Sequence, residues 1–433
     1  MATFEVLVLR LHRRQTTIHF LTYDICDNDA IAFCRCNSLH QTHVILVLTI
    51  VSLFTIAIYG SRLRHSLASA VMLSPTANSL NLMEAQFPKV SVIIPAYNEA
   101  ENIHECITAV LDSTQLPGSQ LEVLVVDDQS TDETLLLAQS LQELLNDPRL
   151  FVLAGQPRPT GVLWVGKNWA CTQAVEQAQG EFLLFIDADV RLKPQAIETA
   201  IQKAQDEHST LLSLAPAIVC GCWSEWLVQP LMVNNLAVAQ DFEAVNNPES
   251  ETVMAAGPFM LFRRSAYEQL GGHRAVAACV AEDLELARLT KAAGLKLSYL
   301  LGGQFVSVRM YRSWSALWEG WTKNLYLGAG RNPWLMFLLA LTMLLIYPLP
   351  WLCLLAIGYK LSAGVANPLD LLAPAVATIA IFFHYDLRRV SSEVSQITTS
   401  YWWLGGIGGT IVAALAVASV IKIETGWGWT WRG

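Results

Sequence analysis

The chain carries little charge. Asp, Glu, Lys and Arg make up 15% of its 433 residues, against roughly 25% in an ordinary soluble domain. Basic residues are the minority: 28 Lys and Arg stand against 37 Asp and Glu, for a formal net charge of −9. That balance leaves no clustered cationic surface, so nucleic acid is not an expected partner. No Gly-x-x-x-x-Gly-Lys-Ser/Thr phosphate loop occurs, which argues against a nucleotidyl or phosphoryl transferase of the P-loop kind. Cys34-x-Cys36 and Cys220-x-Cys222 lack the two-residue spacer typical of zinc sites. With Cys26, Cys106, Cys171, Cys279 and Cys353 they read as free thiols in a reducing compartment. Residues 1–42 hold His12, His19 and His40 with no clear period. They lack the compact apolar stretch and small-residue cleavage site of a signal peptide, and read as a poorly defined extension.

What replaces charge is apolar surface, 53% of the residues by type. It is concentrated in four runs, His43–Gly60, Pro333–Gly358, Leu369–Tyr385 and Leu404–Ile421. A spanning helix needs about 20 mostly apolar residues, with about 17 as the lower edge. Pro348, Pro350 and Pro374 kink such helices without excluding them. The expected organisation is an extension at 1–42, a transmembrane helix at 43–60, one soluble domain at 80–332, and a membrane region at 333–425 with about three helices. Arg62, Arg64, Arg331, Arg388 and Arg389 fall on one side if every run spans, whereas Arg10, Arg13 and Arg14 fall on the other. The first group places the large domain in the cytoplasm of a multi-pass integral membrane protein. A transporter or scaffold would explain the runs but leave the acidic domain without a task.

Within 80–332, short apolar strands alternate with helical periods. Val90–Pro95, Val123–Val126, Phe151–Leu153 and Phe182–Ile186 read as strands. Asn98–Leu111 reads as a helix, as do a segment capped by Thr131 or Asp132, with Leu137, Leu141 and Leu144 inward, and Trp169–Gln179. Strands apolar throughout, alternating with helices, predict an α/β fold with a Rossmann-like, mostly parallel sheet. Ligands of such sheets bind beyond the carboxyl ends of the strands. Both such ends are acidic here, with Asp127-Asp128 after Val126 and Asp187-Ala-Asp189 after Ile186. Asp127 and Asp128 alone serve equally well as a helix cap or solvated turn. Paired carboxylates at two strand ends repel one another and imply a divalent cation, Mg²⁺ or Mn²⁺, of the kind that holds substrate phosphates.

Two further elements carry chemistry. Ala281–Arg288 opens a helix with Glu282 and Asp283 in its first turn, either as an ordinary helix start or with one carboxylate accepting an acceptor's proton. Before it, Gly257-Pro258 turns into an apolar strand and Gly271-Gly272 reads as a loop, the floor and flexible rim of a pocket. Arg309–Asn324 is basic and aromatic: Trp314, Trp318 and Trp321 recur at helical spacing, as if lying against lipid headgroups. Arg309, Arg312 and Lys323 then serve either anionic lipid or a departing diphosphate.

Val92–Glu99, Val125–Asp132, Phe185–Asp189 and Glu282-Asp283, in that order, resemble glycosyltransferase family 2 over about Val90 to Asn324. Within it the chain looks most like membrane-bound carotenoid and hopanoid-associated members, a likeness to which Thr430–Gly433 adds. The resemblance implies a nucleotide-diphospho-sugar transferase fold and an inverting transfer from a nucleotide-sugar, UDP-linked, to the hydroxyl of a lipid-like acceptor, with the bilayer as partner. A carotenoid or other terpenoid alcohol leads, with ceramide- or diacylglycerol-type glycolipid or polysaccharide synthesis behind it. Carried over by position, Pro95 and Glu99 line the nucleotide pocket, Asp128 meets the uridine and Asp127 supports it. Asp189 binds the metal, with Asp187 close to it and to the donor sugar, and Asp283 is the base. The family's Gln/Arg-x-x-Arg-Trp motif has two imperfect echoes, Arg309-x-x-Arg312 with Ser313 before Trp314, and Gly320-Trp-Thr-Lys323 without the arginine, and either stretch can take its role.

Overall fold

A computed structural model of the protein describes residues 27–75, 87–364 and 368–427. Arg10, Arg13, Arg14 and Cys26, residues 76–86 and the Thr430–Gly433 segment lie outside the described residues. The strands are β1 (Val90–Ala96), β2 (Leu121–Asp127), β3 (Leu150–Ala154), β4 (Phe182–Phe185), β5 (Val190–Leu192), β6 (Leu211–Ala215), β7 (Ala217–Ile218), β8 (Met260–Arg263), β9 (Leu297–Leu301) and β10 (Val306–Val308). Seven form the main sheet in the order β3-β2-β1-β4-β8-β6-β9, and β5-β10-β7 form a small second sheet.

The sheet is buried on both faces because β1 and β2 are apolar without alternation. Val92 and Ile94 of β1 pack with Ile103, Ile107 and Ala200 on one side. Ile93 packs with Ala170 and Ala174 of the helix Gly166–Gln177 on the other. The fold departs from a wholly parallel sheet at β8, which runs antiparallel to both β4 and β6. Six of the seven strands run parallel, as a mostly parallel sheet requires, and β8 alone runs against them. The Gly257-Pro258 turn feeds β8 from the end where β4 finishes, and this reversed entry brings the turn to the acidic strand ends.

Local expectations were also revised. The helix Thr134–Leu145 turns Thr134, Ala138 and Leu141 inward and leaves Leu144 exposed. Gly271 and Gly272 are not a flexible rim. Both have positive φ, and a Cβ on Gly272 would come within 2.3 Å of the Tyr267 ring. Tyr267 and His273 are joined by a hydrogen bond between the hydroxyl and Nδ1, 2.7 Å long, in a buried aromatic cluster with Phe185. In the helix Trp314–Gly328, Trp314 is exposed but Trp321 is buried, its Nε1 donating to Gln229 Oε1 at 2.9 Å. The three tryptophans therefore do not share a lipid-facing stripe.

Among the described residues, three helical stretches are long and apolar enough to cross a membrane: His40–Ser69, Leu369–Ser395 and Trp402–Thr425. The first lies within a continuous helix Asp27–Ser69. The Pro333–Gly358 run is broken into Pro333–Ile346 and Pro348–Ser362, bent by 40° at Tyr347, where Pro348 cannot donate a backbone N–H. The third run is longer than its apolar core, so Arg388 and Arg389 belong to a helix and not to a loop. Apolar helices gain nothing from burial against one another in lipid, and close approach through small residues takes its place. Gly408 lies so close to the Leu227 carbonyl that a Cβ would sit 2.2 Å from the oxygen, and Gly409 stands equally tight against Tyr347.

Candidate active site

The strand ends converge as the topology dictates. β1 lies between β2 and β4, with Ala96 opposite Asp127 and Ile93 opposite Phe185. The backbone N–H of Asp128 donates to Ala96 O at 2.8 Å, and that of Ile186 to Ile93 O at 3.1 Å. Both acidic segments are thus anchored to the same strand. The loop after β1, carrying Pro95 at the strand end and Glu99 beyond it, is pinned to the loop after β2. Asn98 N donates to Ser130 Oγ, and Glu99 N to Thr134 Oγ1, at 2.9 and 2.8 Å.

Asp127 and Asp128 are both buried. Asp127 Oδ2 accepts from Ser130 N at 3.1 Å while its Oδ1 has no partner among the described residues. Asp128 pairs with Arg158 at 3.0 Å. Burial pushes the Asp128 carboxyl up, Arg158 opposes that, and Asp127 adds to it. Gly166 presses on this pair: a Cβ there would lie 2.0 Å from Asp128 Oδ2.

The next residue joins the halves of the site. Lys167 Nζ lies 2.6 Å from Asp187 Oδ1 and 2.6 Å from Glu282 Oε1. Burial opposes the ammonium charge, but Asp187 and Glu282 together hold its pKa well above the ordinary lysine value. Asp283, beside Glu282, accepts from Gly257 N at 3.0 Å and from Leu284 N at 2.8 Å. Burial, then the Glu282 charge, raise its carboxyl to about 6, with Lys167 pulling the other way. Asp189 is raised to about 8 by burial, by Asp187 and by Glu99, and its Oδ1 finds no hydrogen-bond partner. Lys167 had no motif to mark it. Its signal was only its place at the start of a helix, after a Gly- and Pro-containing loop.

The basic residues divide. Arg312 Nη2 donates to Asn102 Oδ1 at 2.6 Å and lies 3.9 Å from both Glu101 and Glu105, beside the Glu99 loop. Arg309 is held by the buried Glu225 at 3.2 Å, so its charge is already matched. Lys323 sits partly buried on the helix Trp314–Gly328. Tyr311, absent from the sequence reading, feels the Asp189 charge and packs edge-on against Trp321.

Among the described residues, no group of three or more His, Cys, Asp or Glu side chains is set to hold a metal. The site still fits a divalent ion bound by one or two carboxylates. Asp189 presents a buried oxygen without a hydrogen bond among the described residues, and burial first, then the neighbouring acids, discourage its ionisation. Mg²⁺-type ions complete such sparse sites with phosphate oxygens and water.

Residues 91–271 match the family model described as Glycosyl transferase family 2. Two curated relatives share the sequence. The 4,4'-diaponeurosporenoate glycosyltransferase of Staphylococcus haemolyticus (strain JCSC1435) is 29% identical over 258 residues, 59% of this chain and 66% of the relative. The enzyme of the same name from Staphylococcus aureus (strain USA300) is 30% identical over 244 residues, 56% of this chain and 62% of the relative. The match thus spans just under two thirds of each relative's length. In structure, the chain resembles a mannosyltransferase from Pyrobaculum calidifontis solved with GDP-Man and Mn²⁺, at a TM-score of 0.51 and 20% identity, covering 89% of this chain and 99% of that one. That likeness carries the fold alone.

Proposed function

We propose that the protein is an inverting glycosyltransferase that moves a sugar from a nucleotide-sugar, UDP-linked, to the hydroxyl of a membrane-soluble acceptor of carotenoid or other terpenoid type. The observation that carries this reading is the double ion pair of Lys167, which joins the Asp187-Ala-Asp189 strand end to the Glu282-Asp283 helix start. A donor subsite and a proton acceptor thereby share one site.

Asp128, Asp127, Pro95 and Glu99 bind the nucleotide. Asp189, with Asp187, would hold Mg²⁺ or Mn²⁺, which when bound neutralises diphosphate charge. Asp283 takes the acceptor's proton as the acceptor oxygen bonds to the anomeric carbon from the face opposite the diphosphate. The bond to the diphosphate oxygen breaks, its electron pair leaves with the nucleoside diphosphate, and the configuration inverts. A carboxyl at about 6 suits this role, being ionised at neutral pH yet basic enough to accept a proton. Gly257 N and Leu284 N fix its orientation. Arg312 and Lys323 are the candidates for meeting the departing diphosphate. The large domain faces the cytoplasm, where nucleotide-sugars are made, in keeping with Arg62 and Arg64 at the domain-proximal end of the first membrane helix.

A second acceptor chemistry is favoured by the relatives' name, whose "-oate" denotes a carboxylate. A carboxylate attacks without giving up a proton, so Asp283 would then be needed for orientation and not as a base. Membranes containing the protein, incubated with labelled UDP-sugars and a lipid extract, test both. Label in an apolar product of the mass of glycosylated alcohol or acid is expected. Label confined to free sugar, or absent with every donor, overturns the proposal.

A further inference from the structure

A second polar site lies away from the carboxylates, where the membrane helices meet the domain. The helix Leu372–Ser395 places His384 and Arg388 four residues apart on one face, only 2% and 6% exposed. Both line a narrow cleft closed by Trp226, Tyr347, Tyr401 and Gly405.

Arg388 is a buried cation without a counter-charge. Its Nε and Nη2 donate to the carbonyls of Thr398 and Ser400 at 2.9 and 3.3 Å, and the guanidinium lies 5.7 Å from the Trp226 ring centre. No carboxylate reaches it among the described residues. The acids on its own helix are engaged elsewhere: Asp386 by Arg64 and Arg389, and Glu393 by Arg389. A buried unpaired charge is costly and marks a place where an anion is received.

His384 specifies the ligand further. Its Nε2 lies 2.8 Å from the Ile346 carbonyl. A carbonyl only accepts, so Nε2 carries the proton and Nδ1 of the neutral ring is an acceptor. Nδ1 has no partner among the described residues, and Gly405 leaves the space beside it free of side chain. Among the described residues the cleft therefore offers one cationic donor and two unpartnered neutral acceptors, His384 Nδ1 and Asn234 Oδ1. An anion alone satisfies the first and repels the second; a group with both a charged oxygen and a hydroxyl satisfies both.

The rim has a ring of interfacial aromatics. The Tyr401 ring lies 5.2 Å from both Trp223 and Trp226, tilted to the first and edge-on to the second. Tyr401 and Gln396 hold φ of +59° and +58°, a left-handed backbone that non-glycine residues adopt at some cost. Tyr and Trp favour the depth of lipid headgroups. The cleft admits an oxygen-sized group at its base, with space for a chain only outside the rim.

We propose that this cleft is a headgroup subsite for an anionic, hydroxyl-bearing lipid of phosphatidylglycerol type, whose phosphate oxygen accepts from Arg388 and whose glycerol hydroxyl donates to His384 Nδ1. The subsite is independent of the transfer reaction and anchors the domain at a defined depth on the bilayer.

The test uses the full chain in detergent, delipidated and titrated with phosphatidylglycerol, phosphatidic acid and phosphatidylcholine, with retained lipid counted by native mass spectrometry. Expected is one retained phosphatidylglycerol, with phosphatidylcholine and phosphatidic acid each held at least about tenfold more weakly. Arg388→Gln should remove the preference for the anionic lipids. His384→Phe should leave phosphatidylglycerol and phosphatidic acid equal. Equal retention of all three lipids by the wild-type chain, which needs no variant to fold, overturns the proposal. So does displacement of the lipid by soluble glycerol phosphate at the lipid's own affinity, because the ligand would then be the free head.

Discussion

Lys167 and Glu282 stand 2.6 Å apart although 115 positions separate them in sequence. Their contact is the one through which the β4 strand end and the helix Glu282–Ala292 act as a single site. Asp187 holds the same ammonium from the other side. Neutralising it with Lys167→Met would leave Asp187 and Glu282 unbalanced. The expected result is a fall in kcat of about 10²-fold with a smaller change in donor KM, checked by steady-state kinetics, with partial rescue by Lys167→Arg. Unchanged kcat would make the pair structural only.

The pH dependence follows from Asp283. Burial and Glu282 raise its carboxyl to about 6 and Lys167 restrains the rise. The ionised form is the active one, so kcat/KM should decline as pH falls through about 6. Removing the Lys167 charge lets the carboxyl rise, so the acid limb of Lys167→Met should move to higher pH. A limb that stays in place in this variant would mean that another group controls it.

Asp283→Asn keeps the shape of the side chain and removes its basicity. For a hydroxyl acceptor, turnover should fall by about 10²- to 10⁴-fold, while nucleotide binding, measured by calorimetry, stays close to the wild type. Near-normal turnover removes Asp283 as the base and favours a carboxylate acceptor.

Gly166→Ala tests the nucleotide end. The new methyl would fall 2.0 Å from Asp128 Oδ2 and 2.7 Å from Arg158 Nη2, so the ion pair must part. Donor KM should rise several-fold with kcat little affected. A variant with unaltered donor KM would separate Asp128 from nucleotide binding.

Asp189→Ala addresses the cation. Wild-type affinity for a nucleoside diphosphate should rise when Mn²⁺ is added and fall with chelator. The variant should show the same weak affinity in both conditions. A wild-type chain indifferent to Mn²⁺ would remove the metal from the account.

Much of this was legible in the residues, for identifiable reasons. Buried parallel strands need apolar side chains on both faces, so β1, β2 and β4 stood out, and their carboxyl ends pointed to Asp127, Asp128, Asp187 and Asp189. Glu282 and Asp283 were visible as a helix start. The direction of β8 was not, because Met260–Arg263 is as apolar as a parallel strand would be, and only the partners on either side fix its polarity. Arg158, a lone cation in a loop, and Lys167, at a helix start, were invisible for a similar reason: neither belongs to a period, and the meaning of each lies in partners distant in sequence. The tryptophan spacing misled because Trp321 meets Gln229 of another helix, a contact that no helical period records.

The central claim is that four separated chain segments close on one ligand, and hydrogen exchange of the full chain with and without a UDP-sugar and Mn²⁺ tests it most directly. The account predicts simultaneous protection of amides at 96–99, 127–130, 187–190 and 282–284. Protection confined to one of these segments, or lying elsewhere in the domain, would contradict it.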